Sequence, residues 1–354
     1  MTEDAIIRAQ DALVTVKKEP FNAEAPLNAL RERITPSEQF YVRNNFAIPN
    51  LAPDAWHLKV DGAIEQSLEL TLDDLKALPQ RTVTTTMECA GNGRTGFAPL
   101  PTGEPWGLGA VSTAIWRGVA LSDFLRMARL RASAVEILFE GADSGRREGC
   151  DRDVPFARSL PLAKALDPDT LLAYEFNGAP LTANHGGPVR LLVPDWYGMA
   201  SVKWVVRIAA LEQPFVGHFQ TERYVLEVPD KGSKEPVGEM RVKSLITSPV
   251  QGEVLSPGPQ IITGAAWSGA GAITQVEVSV ESERGWQPAT LVDDSTPHAW
   301  RRWEFQWTPQ RPGRYVLRAR ATDEKGNTQP DVAPWNRLGY VNNSIQYVIV
   351  EVGG

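Results

Sequence analysis

Proline and glycine punctuate this chain throughout: 27 prolines and 29 glycines are spread over 354 residues. Proline removes a backbone donor and stops a helix, and glycine weakens the interior of helices and strands. A chain broken so often cannot be assembled from long helices and predicts many turns joining short strands. Within that limit two textures are visible. From about residue 40 to 227, strand-like and helix-like pieces alternate. Residues 82–87 (TVTTTM) are rich in β-branched side chains and predict a strand, as do 135–139, 189–193 and 202–208, the last two apolar enough to be buried. Thr71 followed by Asp74 predicts a capped helix with Leu72, Leu75 and Leu78 on one face and Pro79 ending it. Ser122 is expected to open a second helix, with Leu121, Phe124, Leu125 and Ala128 on a shared side.

The texture changes at 228–237 (VPDKGSKEPV), a polar stretch with the composition of a linker. Beyond it helix signals vanish, and 275–280, 314–321 and 345–350 alternate apolar and polar residues between turn clusters at 268–271 and 323–327. The expected fold class is α+β: a catalytic domain over residues 1–237, whose first 40 residues wrap its surface, then an all-β immunoglobulin-like sandwich over 238–354. The Cys–Trp–Cys signature of antibody domains is absent from it.

Several function classes are disfavoured at once. A net charge of −7 argues against a nucleic-acid partner. No stretch approaches the ~20 apolar residues of a membrane helix. The N-terminus lacks a signal pattern, which predicts a cytoplasmic protein, or a periplasmic one if an export leader has been removed. Two cysteines exclude a disulfide-dense scaffold and a four-cysteine zinc site, leaving one bridge arithmetically open. Serine-hydrolase, zinc-hydrolase and P-loop motifs do not occur.

The most unusual segment is MECAGNGRTG at 87–96. Cys89 stands at a strand end before a glycine-rich turn, where backbone can approach closely, and Arg94 five residues on would favour the thiolate that ligates metals. Residue type alone favours an inert buried thiol. Gly91, Gly93 and Gly96 match a dinucleotide fingerprint, but Pro99, Pro101 and Pro105 forbid the helix it requires. A basic set follows: Arg43 in FYVRNN, His185 and Arg190 in HGGPVR, Lys203 in SVKW. Most such residues are solvated surface charges. Arg190 and Lys203 adjoin apolar strand text, where an unpaired charge is costly and an oxyanion or phosphate is a natural partner. Asp143 could cap a turn or accept bonds from a polar ligand. Tyr224 reads by itself as packing, and Cys150, with no histidine at metal spacing, as structural.

Taken together, FYVRNN, MECAGNGR and LLAYEFNGAPLTANHGGPVRLLVPDWYGMASVKWVVRI resemble the sulfite oxidase family of molybdenum enzymes, and the resemblance runs from about residue 35 to the C-terminus. It implies a mixed α/β molybdopterin-binding domain followed by a dimerisation sandwich, one molybdenum–molybdopterin per chain, and a homodimer; the N-terminal haem domain of vertebrate members has no counterpart ahead of the molybdenum domain here, so no haem is expected. By the same resemblance Cys89 is the metal thiolate, and Arg43, Arg94 and Tyr224 belong to the substrate pocket. Asp143, His185, Arg190, Ser201, Val202 and Lys203 bind the pterin, with Tyr41, Arg43, Asn44 and Asn45 as a backbone-contact loop. The implied reaction oxidises sulfite to sulfate and passes electrons to an external acceptor, a cytochrome c or dioxygen. The family's C-terminal domain also lends an arginine near a WN motif. Here the text is PWNRLGY, with Leu338 at the aligned place and Arg337 one position away. Nitrate or sulfoxide reduction on the same fold is the nearest rival reading, and a non-catalytic adhesion protein a more distant one.

Overall fold

The computed structural model of the chain describes residues 12–227, 232–280 and 285–353, so 228–231 of the expected linker lie outside the described residues. The longest helix among these residues, Leu121–Met127, has seven residues, as the proline and glycine punctuation demands. Strands carry the architecture. In the N-terminal region one antiparallel sheet runs Gln80–Glu88, Val111–Ala120, Leu171–Phe176 and Ala179–Pro180, with Arg190–Leu192 also paired to Leu171–Phe176. A second sheet orders Leu68–Thr71, His57–Gly62, Val205–Leu211, Glu136–Gly145 and Val154–Pro161, and its one parallel pair joins His57–Gly62 to Val205–Leu211.

The capping box is present: the Thr71 side chain accepts from the Asp74 amide, and the Asp74 carboxylate accepts from the Thr71 amide. The second helix starts one residue before the expected place, and Ser122 does not cap it. Leu121 enters directly from a strand, donating its amide to the Thr170 carbonyl at 2.8 Å, so Ala120 takes the cap position and Ser122 lies inside the first turn. The strand expected over 202–208 begins only at Val205. Trp204, at φ 50°, turns the chain beforehand and lets Lys203 reach inward.

Residues 12–40 do more than wrap a surface. Asn22, Ala23 and Leu30 are fully buried, and the Glu24 carboxylate takes amide hydrogens from Gly107 and Gly109. Arg31 donates to the Thr247 carbonyl and so ties this segment to the C-terminal region.

That region is the expected β-sandwich. Lys243–Ser248, Gln260–Trp267, Arg301–Trp307 and Thr290–Leu291 form one sheet; Val254–Leu255, Tyr347–Val352, Gly313–Asp323, Ile273–Val280 and Gln287–Pro288 form the other. Ile262, Trp303, Val278, Leu317 and Val350 fill the space between them. Trp267, Trp300, Leu338, Tyr340 and Val341 instead join the core around Ala90 and Tyr197. The two regions also share a fully buried ion pair, Glu88–Lys243 at 2.9 Å.

Candidate active site

Cys89 follows directly on the strand Gln80–Glu88. Its amide donates to the Ala110 carbonyl at 2.8 Å and its own carbonyl accepts from Asn92 at 2.9 Å, which closes the turn. Gly93 takes φ +83°, open to glycine and strained for other residues. Cys89 is 6% exposed and lines a partly open cavity. Both cysteines are free thiols, so the arithmetically open bridge is not formed.

Tyr41, Arg43, Asn45, Asp143, His185, Arg190, Ser201, Lys203 and Tyr224 line the same cavity as Cys89. The structure thus gathers residues spread from 41 to 224 around one sulfur. Asn44 and Val202 lie behind the wall. Asn44 is buried, with its side-chain oxygen accepting from Lys203 Nζ and its amide donating to Asn22 Oδ1 at 2.7 Å. Val202 faces the core and supplies a carbonyl to Leu191.

Arg94 departs from expectation. Its guanidinium donates to the Leu338 carbonyl at 3.1 Å and the Glu104 carbonyl at 2.7 Å, and it is not part of the cavity lining. A Cβ on Gly91, Gly103 or Gly339 would touch that guanidinium, so these glycines make the channel that turns it toward the C-terminal region. It also does not secure a thiolate. Burial pushes the Cys89 thiol up, and Arg43, the Gly91 amide and Arg94 offset this only in part.

The electrostatics of the cavity are lopsided. Burial depresses Lys203 well below its ordinary value, with Arg190 adding to the effect and Asp143 opposing it. Burial likewise holds Arg190 down at about 10 and, with Lys203 and Arg190, His185 at about 3. His185 is therefore neutral. Its Nε2–H donates to the Phe40 carbonyl at 3.3 Å, and Nδ1 accepts from the Thr182 hydroxyl at 2.9 Å. Arg190 donates to the carbonyls of His185 and Ser201, both at 2.9 Å. The one acid in the lining is Asp143, pushed up to about 6 by burial against the pull of Lys203, Arg147 and Arg43. Asp143 Oδ1 is buried without a partner. Desolvated cations in excess of acids, and an orphaned carboxylate oxygen, are what a bound anion with donors of its own would relieve.

On the side facing Tyr224, Arg43 donates to Asn45 Oδ1 at 2.8 Å and to the Tyr224 hydroxyl at 3.5 Å. Burial opposes the charge of Arg43, but Tyr224 and Cys89 outweigh it and raise the guanidinium further. Residues 45–219 match the oxidoreductase molybdopterin binding domain, and 234–352 match the Mo-co oxidoreductase dimerisation domain. Over 92% of its length the chain is 36% identical to sulfite oxidase of Gallus gallus and covers 75% of that protein. Its fold superposes on the sulfane dehydrogenase SoxCD of Paracoccus pantotrophus with a TM-score of 0.81 at 31% identity, covering 94% of this chain and 84% of that one.

The chain belongs to the sulfite oxidase family.

Mitochondrial sulfite oxidase of Rattus norvegicus is 39% identical over 96% of the chain, which spans 66% of that relative's length, just under two thirds. In this member of the sulfite oxidase family, no arginine of the C-terminal region lines the cavity among the described residues. Arg337 is exposed and donates to Glu227 at 3.0 Å, while Leu338 is buried. The aromatic wall went unnoticed in the sequence: Phe40, Phe156 and Trp204 line the cavity together with Met87 and Met199. Gly198 lets the Tyr41 hydroxyl approach, because a Cβ there would come within 2.5 Å of it. Cys150 has no histidine at metal spacing in the sequence; the one beside it, His218, lies 68 residues on, with Nδ1 3.8 Å from the sulfur.

Proposed function

We propose that this chain oxidises sulfite to sulfate by oxygen-atom transfer at a molybdenum–pterin centre bound through Cys89. The observation that carries the reading is a single cavity holding a buried thiol, a charged Arg43 paired with Tyr224, and basic groups in excess of acids. Its chemistry fits the cofactor: a soft sulfur for a thiophilic metal, and cations with an orphaned carboxylate oxygen for a phosphate-bearing pterin. When bound, the molybdenum centre supplies the oxygen-atom transfer and takes up two electrons.

Arg190 and Lys203 would hold the cofactor's anionic group, and Tyr41, Asn45 and Ser201 would line its bed. Asn44, from behind, fixes Lys203. His185, with both ring nitrogens engaged, contributes shape and stacks on Phe176 at 5.1 Å. Asp143, whose Oδ1 is buried without a partner, would accept a hydrogen bond from the cofactor. Cys89, whose thiol burial pushes up, would give up its proton on ligating the metal. Arg43 attracts and orients the sulfite anion and stabilises the charge that moves during oxygen transfer. The Tyr224 hydroxyl, 3.2 Å from Asn45 Nδ2, holds a substrate oxygen and can exchange a proton with water. Overall, sulfite and water give sulfate, two protons and two electrons, and an external acceptor such as a cytochrome c or dioxygen removes the electrons. The dimerisation-domain match supports a homodimer.

Elemental analysis of protein from a cofactor-making host, with turnover assays on sulfite, nitrate and a sulfoxide, tests the reading. About one molybdenum per chain and a preference for sulfite are expected. Absent metal, or faster nitrate or sulfoxide turnover, would overturn it.

A further inference from the structure

We propose that Tyr340, supplied by the C-terminal region, is a positioning residue that holds Tyr224 in its working orientation. The proposal rests on the reading of Tyr224 as a substrate-facing hydroxyl. The Tyr340 ring stacks on Tyr224 at 5.2 Å between centroids and 23° between planes. The Arg94 guanidinium lies 5.2 Å from the Tyr340 centroid, so Arg94 braces the same ring that braces Tyr224. Phe156 and Phe219 approach Tyr224 at 6.4 and 6.3 Å, completing a cage in which Tyr340 makes the closest ring contact. The hydroxyl then meets Asn45 at 3.2 Å and Arg43 at 3.5 Å.

Tyr224 needs such support. It sits at φ 54°, a region a bulky residue occupies only when its surroundings enforce it. Its sequence neighbours offer little restraint on the ring, since the strand that follows, Val225–Glu227, has three residues. Tyr340 is fixed much more firmly. Its amide donates to Asn336 Oδ1 at 3.0 Å and its carbonyl accepts from Asn336 Nδ2 at 2.9 Å. The next residue, Val341, donates to the Ala90 carbonyl at 2.7 Å, beside Cys89, and Asn342 Nδ2 donates to the Gly93 carbonyl at 2.7 Å. The segment carrying Tyr340 is therefore docked on the very turn that presents the thiol. Where the family resemblance places an arginine from this region in the pocket, this chain has Leu338, buried in the core and outside the cavity lining, and an aromatic ring two residues on. The stack also gives Arg94 a task consistent with its position outside the cavity.

The test uses the cofactor-loaded enzyme and four forms: Tyr340→Leu, Tyr340→Phe, Tyr224→Phe and the Tyr340→Leu/Tyr224→Phe double variant. Loss of the ring should lower kcat/KM for sulfite about tenfold, the order expected for one aromatic pair. Tyr340→Phe, which keeps the ring, should stay within about twofold of the parent. If Tyr340 acts through Tyr224, Tyr340→Leu should have no further effect once the Tyr224 hydroxyl is gone. Equal effects in both backgrounds, or no rescue by phenylalanine, would overturn the proposal. A second readout is independent of turnover: mass-spectrometric nitration by tetranitromethane should rise severalfold at Tyr224 in Tyr340→Leu, with Tyr315 unchanged. An unchanged rate at Tyr224 sinks the stack, whereas a parent enzyme inert toward sulfite sinks only the functional reading. Should Tyr340→Leu not fold, Tyr340→Met takes its place with the same expected outcomes.

Discussion

Replacing Lys243 with methionine removes one half of the buried ion pair that joins the two regions of the chain. Both side chains are 1% exposed and the contact is 2.9 Å, so no water replaces the lost ammonium. Glu88 keeps two other donors, Asn92 Nδ2 on Oε1 and Trp267 Nε1 on Oε2, each at 2.9 Å. Breaking a buried pair costs ~3–5 kcal/mol because the survivor is left charged in a dry site. The remaining donors put this case at the lower end, about 3 kcal/mol. Urea unfolding of the metal-free protein, followed by tryptophan fluorescence, measures it: the midpoint should fall with an unchanged slope. The Glu88→Gln/Lys243→Met double variant, which leaves no stranded charge, should recover most of the loss. The effect should also reach the thiol, because the Glu88 carboxylate already opposes ionisation of its neighbour Cys89. Lys243→Met is therefore expected to retain less molybdenum than the parent. A destabilisation below about 1 kcal/mol, or a double variant no better than the single, would refute the reasoning.

Three further outcomes are expected. Arg43→Gln should raise the sulfite KM at least tenfold with a smaller change in kcat, measured by steady-state kinetics; an unchanged KM removes Arg43 from the pocket. Arg337→Ala should leave sulfite kinetics unaltered, because Arg337 pairs with Glu227 at an exposed site. The third concerns pH. Burial would depress the His298 imidazole, but hydrogen bonds and charge from Asp195 and Asp169 outweigh it and raise its pKa above 6.5. A raised cation stabilises the fold fully below the unfolded value near 6.5, and that contribution disappears as pH rises through the folded value. His298→Gln should flatten the stability profile across this window; a profile of unchanged slope would contradict the assignment.

The parts of the molecule legible in the sequence are those governed by local rules. The Thr71–Asp74 box, the alternating sandwich strands and the thiol at the end of a β-branched run each follow from a few adjacent residues. The gathering of Arg43, Cys89, Arg190 and Lys203 was reached through family resemblance, since nothing in spacing brings residue 43 to residue 203. What escaped was set by tertiary partners. Arg94 has charge and proximity to Cys89, and only the carbonyls of Leu338 and Glu104 decide which way it points. Ser122 is a good cap by type but lies inside the helix, because the strand before it runs on to Ala120 and the helix opens at Leu121. Residues 12–40 show no period because their burial comes from single residues, Asn22, Ala23 and Leu30, filling gaps between elements made elsewhere. Glu88 with Lys243, and Tyr224 with Tyr340, are pairs separated by more than a hundred positions.

The most direct test of the account is X-ray absorption at the molybdenum edge, comparing the purified parent with Cys89→Ser. The parent should show the two sulfur neighbours of a pterin dithiolene plus one more, and the variant should lose that one while sulfite turnover collapses. Identical sulfur counts in the two proteins, or full turnover without the thiol, would contradict the claim that Cys89 binds the metal.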